Sequence, residues 1–183
     1  VFRLIRRSNT VPSVTCQRLG RNKASTFTGL CTEHDSSVFR AIETSQPDLS
    51  DPEHLFLLAY RSVLRETHAC FEAALRFQAG YLKRVEQGQS PSDRPDAAGL
   101  AATEWICNAI DCYLYKRRFD EALLAREYDT VVHEHLRFDD TPPSIAVSSL
   151  FSLDDMPWPD DVARVVLNVL PLRGGMHVIF SFL

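Results

Sequence analysis

No stretch of this 183-residue sequence approaches the ~20 consecutive apolar residues that span a bilayer. The opening Val1-Phe2-Arg3-Leu4-Ile5-Arg6-Arg7 is too short and too interrupted by charge to be the apolar core of a secretory signal. A Gly-rich phosphate loop is missing, since Arg173-Gly174-Gly175 reads as a hairpin turn and not as a strand-to-helix cradle. Gly-x-Ser-x-Gly is missing as well, so the serine-hydrolase nucleophile elbow is set aside with it. Internal repeats and low-complexity tracts are absent. Five cysteines, an odd number without the regular spacing of a secreted scaffold, exclude a disulfide framework and predict a reducing, cytoplasmic compartment.

Acidic residues are lacking at the start. Arg3, Arg6, Arg7, Arg18, Arg21 and Lys23 all precede the first carboxylate, Glu33. Of 20 basic residues, removing those 6 leaves 14 against 24 acidic ones, so the body carries a formal −10 behind a basic arm. Such an arm fits contacts to nucleic-acid phosphate, a mitochondrial transit peptide, or the solvated edge of a domain that begins earlier. The sequence starts on Val1 and stops inside the apolar run Val178-Ile179-Phe180-Ser181-Phe182-Leu183, which predicts a piece of a longer protein. With 45% hydrophobic and 24% charged residues the chain can bury a real core. Two units are expected: a basic arm with a small metal-binding segment over 1–46, and a body over 47–183.

Ser50-Asp51-Pro52-Glu53 is a helix start, with Ser50 or Asp51 as cap, Pro52 in the first turn and Glu53 at the positive end of the dipole. The stripe Phe56, Tyr60, Val63, Thr67, Cys70, Ala74, Phe77, Tyr81 advances by steps of four and three, predicting a helix from about Pro52 to Gln87. Gly88 through Pro95 breaks it. A second helix is predicted from about Asp96 to Glu127, carrying Ala101, Trp105, Cys112, Phe119 and Leu123. Phe56, Val63, Cys70, Phe77, Trp105 and Phe119 are the expected buried set. Beyond Asp129, short β-branched and aromatic runs bounded by Asp and Pro predict strands at 131–138, 145–151, 163–172 and 176–183. The fold class follows: α+β, a long antiparallel helical hairpin packed on a C-terminal antiparallel sheet.

Chemistry concentrates first at Cys31-Thr32-Glu33-His34-Asp35, where a thiol and an imidazole three positions apart can reach one metal ion, half of a tetrahedral zinc site. A buried Cys31 beside a capping His34-Asp35 accounts for the same residues without metal. Gly20 through Ile42, with Ala24-Ser25-Thr26-Phe27-Thr28-Gly29-Leu30-Cys31 ahead of His34-Asp35, resembles a segment of uncharacterised bacterial proteins carrying Ala-Ser-Thr-Phe-x-Gly-Phe-Cys-x-x-His-Asp. Leu57-Leu58-Ala59-Tyr60-Arg61 and Arg65-Glu66 are similar to the same proteins. In that family the signature follows an upstream Cys-x-x-Cys and a Ser-His pair, an arrangement like the treble-clef zinc fold of HNH-type nucleases. The resemblance implies that Cys31 and His34 are the second ligand pair for zinc and that the first pair lies before Val1. Leu30 replaces the favoured Phe, and the upstream half is not in this sequence.

Other candidates carry less. Cys16 is a lone thiol at no standard metal spacing. His133 and His135 alternate on a predicted strand and share a face able to chelate metal, or simply a solvated face. Arg61 and Arg65, one helical turn apart beside Tyr60, Glu66 and His68, suit an anion or partner clamp, or salt bridges that brace the fold. Cys107 and Cys112, five apart on a helix, face different ways. The leading expectation is a macromolecule-binding protein with a structural zinc site, nucleic acid being the partner of the basic arm. An HNH-type metal-dependent nuclease and a purely structural helical scaffold are the alternatives.

Overall fold

The computed structural model describes the backbone of residues 2–6 and 14–18 and all atoms of residues 29–139, 146–152, 164–172 and 175–183. Strands β1 (Phe2–Arg6) and β2 (Val14–Arg18) pair antiparallel, Phe2 opposite Arg18 and Arg6 opposite Val14. Two short helices, α1 (Thr32–Val38) and α2 (Arg40–Glu43), precede the long α3 (Pro52–Glu86) and α4 (Ala97–Ala125). A 3-10 turn at Tyr128–Thr130 leads into β3 (Val132–Phe138), β4 (Val147–Ser152), β5 (Arg164–Leu172) and β6 (Gly175–Phe182). All neighbours in this sheet are antiparallel, in the order β3-β6-β5-β4. The protein is α+β, with two long helices against a C-terminal antiparallel sheet.

Local chemistry fixes the helix ends. Asp51 Oδ1 accepts from the Glu53 N–H at 2.9 Å, and Pro52 takes the first-turn position where its missing N–H costs nothing. Asp96 Oδ1 accepts from both Ala98 and Gly99 N–H at 3.0 Å, so α4 begins on a doubly used cap. Its end is marked by Arg126 in the left-handed region at φ 57°. At the β5–β6 turn, Gly175 has φ 146°, and a Cβ there would collide with the Phe138 carbonyl oxygen on β3. Only glycine fits.

The core forms where the first half of α3 meets α4 on one side and the sheet on the other. Phe39, Phe56, Phe119, Val63, Val166 and Ile179 are fully buried in it. Phe56 is the centre of an aromatic cluster, with ring centroids at 6.0 Å from Tyr60, 5.6 Å from Phe119 and 5.2 Å from Tyr128. Phe39 and Ile42, from the segment before α3, enter the same core.

One expected core residue lies elsewhere. Phe77 is 43% exposed and Trp105 only half-buried. After Ala74 no residue of α3 is buried, because this end of the hairpin has α4 as its neighbour and no sheet beneath it. The stripe persists in the sequence, but a two-helix layer has too little surface to bury it. Phe77 and Trp105 instead stack on each other, centroids 5.4 Å apart and planes 18° from parallel.

Candidate functional site

Cys31 occupies the N-cap position of α1 and His34 sits in the first turn, so the helix turns both side chains to one side. The Cys31 Sγ to His34 Nδ1 distance is 2.9 Å, and both residues are exposed. The His34 backbone N–H and then its imidazole hold the Cys31 thiol below its ordinary range. A soft sulfur donor with an adjacent imidazole is chemistry that suits zinc, and here the two groups are hydrogen-bonded to each other. Among the described residues no group of three or more His, Cys, Asp or Glu is placed to hold a metal ion. Arg7, Arg21 and Lys23 lie outside the described residues; Arg3, Arg6, Arg18 and Cys16 are placed only as backbone in the β1–β2 pair.

The arginine segment of α3 divides its charges between two directions. Arg61 Nη2 pairs with Glu43 Oε1 at 2.6 Å and stacks its guanidinium 5.1 Å from the Phe39 ring centroid, tying α3 to α2. Arg65 donates to the Ser148 carbonyl on β4. Beneath it, the Ser148 hydroxyl donates to Ser62 Oγ at 2.7 Å, Ser62 Oγ lies 2.9 Å from Asn168 Oδ1, and Asn168 Nδ2 reaches the Leu58 carbonyl at 3.4 Å. Ser62 and Asn168 are buried, so this chain satisfies polar groups that would otherwise be costly. Glu66 points into a different place, a cavity shared with Cys70, Cys112 and Arg164.

His133 and His135 do fall on one face of β3, and it is the helix-facing one. The exposed neighbours Val132, Leu136 and Phe138 alternate with them. Helix α3 crosses β4 and β5, which leaves the β3 side of that face to polar contacts. His133 Nδ1 lies 2.8 Å from Ser181 Oγ, and His135 Nε2 lies 2.8 Å from His177 Nδ1 with the two rings edge to edge and 12° from parallel. Burial presses the His133 imidazole down to about 4 and, helped by His135, lowers His177. His133 Nε2 and His177 Nε2 have no hydrogen-bond partner among the described residues.

A pH dependence follows from His133. Between its ordinary 6.5 and the folded-state value of about 4, the unfolded chain binds a proton there that the folded chain refuses. Stability therefore falls as pH drops from 6.5 towards 4, by on the order of 1–2 kcal/mol once partial solvent contact is allowed for. Urea midpoints across that range should fall more steeply for the wild type than for His133→Gln. Parallel curves would show that His133 protonates freely in the folded protein.

Spacing along one helix does not reveal the thiol pair that the two helices bring together. Cys107 and Cys112 face apart as their spacing requires, one exposed and one buried, but Cys112 Sγ meets Cys70 Sγ across the hairpin at 3.3 Å. Burial, followed by the neighbouring Cys112, pushes the Cys70 thiol up to about 12. Arg164 on β5 donates to Cys112 Sγ at 3.0 Å. Compared with family models, curated proteins and solved structures, the chain matches none of them.

Proposed function

We propose that this chain is a macromolecule-binding module whose segment around α1 contributes Cys31 and His34 to a structural zinc site. The observation that supports this reading is that Cys31 and His34 share one side of an exposed helix start, where their 2.9 Å hydrogen bond would open by a few tenths of an ångström to admit a metal ion. Two further ligands come from outside the described side chains. In chain order a β-hairpin precedes the helix whose first turn offers the two ligands, as in a treble-clef arrangement. The metal would stiffen this segment; a binding module needs only these ligands, whereas an HNH-type nuclease also needs a catalytic His and a position for a second divalent ion.

The partner proposed is nucleic acid, met by Arg3, Arg6, Arg7, Arg18, Arg21 and Lys23 in a reducing cytoplasm. The long helices and sheet serve as the rigid body behind that arm. The test is the metal content of the protein produced from its natural reading frame. About one zinc per chain is expected, falling to near zero in Cys31→Ser and in His34→Ala. Equal zinc in all three proteins removes the site.

A further inference from the structure

We propose that Cys70 and Cys112 form a redox-active dithiol that reduces a hydroperoxide admitted through the adjoining cavity, with Arg164 positioned at the attacking sulfur. The two sulfurs lie 3.3 Å apart, one on each long helix, so a small change of side-chain torsion brings them to bonding distance. Beside them is a cavity of about 190 Å³ walled by Glu66, Trp105, Asn108, Ser152 and Arg164. Asn108 and Ser152 are exposed, so the cavity reaches the surface. It has room for a small peroxide beside the two sulfurs. Its walls are mixed, with Leu150 and Phe151 beside the polar groups, and Asn108, Ser152 and Arg164 can hydrogen-bond an oxidant that carries hydroxyl oxygen.

The two cysteines have different roles. Arg164 places a cation 3.0 Å from the Cys112 sulfur at the wall of the cavity, where it would also be at hand for the oxygen that leaves. As Cys112 gives up its proton its sulfur attacks one peroxide oxygen, a sulfur–oxygen bond forms, the oxygen–oxygen bond breaks, and the departing oxygen takes that proton. Cys112 is then a sulfenic acid and the peroxide has become an alcohol, or water when it is hydrogen peroxide. Cys70, a thiol at rest, attacks that sulfur as its proton passes to the leaving oxygen. A sulfur–sulfur bond forms, the sulfur–oxygen bond breaks, and the hydroxide leaves as water with the Cys70 proton. Two thiols are oxidised by two electrons and one peroxide is reduced. The product disulfide joins α3 to α4 around a 42-residue separation, a cross-link that restricts the unfolded chain.

The experiment treats the reduced protein with equimolar hydrogen peroxide, quenches by alkylation and maps the peptides by mass spectrometry. The expected result is a Cys70–Cys112 linked peptide, reversed by dithiothreitol, with Cys107 left alkylated and a higher melting temperature for the oxidised form. Arg164→Gln, which keeps a polar side chain at the cavity wall, should slow formation of the link by about tenfold. Alkylation of both Cys70 and Cys112 in peroxide-treated wild type overturns the proposal. So does an unchanged rate in Arg164→Gln, and so does faster oxidation by glutathione disulfide than by peroxide. The wild-type map alone decides the first point, so a variant that folds poorly does not obscure the answer.

Discussion

Phe56→Ala is expected to lower the unfolding free energy by ~3–5 kcal/mol. Phe56 is fully buried, and its ring is the contact shared by Tyr60 from its own helix, Phe119 from α4 and Tyr128 from the turn before β3. Truncation removes the transfer energy of a whole ring and opens a cavity whose walls belong to different elements, so they cannot close on it together. Urea denaturation followed by far-UV circular dichroism measures the loss. A loss below ~1 kcal/mol would mean that the three surrounding rings collapse into the space, and that the cluster is less fixed than its geometry implies. Phe77→Ala, at an exposed stacked position, should cost far less.

The second large effect comes from a polar group. Asn168→Leu should destabilise by ~1–3 kcal/mol even though it makes the core more apolar, because it removes the amide that meets Ser62 Oγ and the Leu58 carbonyl between α3 and β5, leaving Ser62 only the Leu58 carbonyl as acceptor. Combining it with Ser62→Ala removes the other end of the same contact. The double variant should therefore be closer to wild type than the sum of the single changes, by ~1 kcal/mol of coupling. Additive losses would show that Asn168 and Ser62 do not act as one network. Arg65 donates to the Ser148 carbonyl at the rim of the same network, which gives this arginine a bracing role between α3 and β4.

Elements that depend on near neighbours were legible in the sequence. Asp51 before Pro52 fixed the start of α3, and the four-and-three stepping of Phe56, Tyr60, Val63, Thr67 and Cys70 predicted the face that meets the core. Phe77 continues the same stepping and is nonetheless exposed, because periodicity reports which face is apolar and says nothing of how far the opposing layer extends. The Ser62–Asn168 pairing joins residues 106 positions apart, and no local pattern carries that information. The dithiol was within reach. Cys70 and Cys112 are equally far in sequence from Pro91 in the loop, as are Phe77 and Trp105, so an antiparallel hairpin turning there brings each pair face to face. Weighing Cys112 only against Cys107, its neighbour on the same helix, missed the partner on the other one. At Cys31 and His34 the spacing and the contact agree, since one helical turn suffices to bring them together.

The strand order carries a consequence for biosynthesis. β6 lies between β3 and β5 yet is made after both, so β3 leaves the ribosome with no neighbour to pair with until the chain has returned twice more. The helical hairpin, built from contacts close in sequence, can assemble first and wait. During that interval Val132, Leu136 and Phe138 sit on an unpaired strand with free backbone donors and acceptors, the combination that recruits other nascent chains. The yield of folded protein in a cell is then governed by how quickly β6 arrives. Slower translation of the codons for residues 139–175 should increase chaperone engagement and inclusion-body formation without altering the finished molecule.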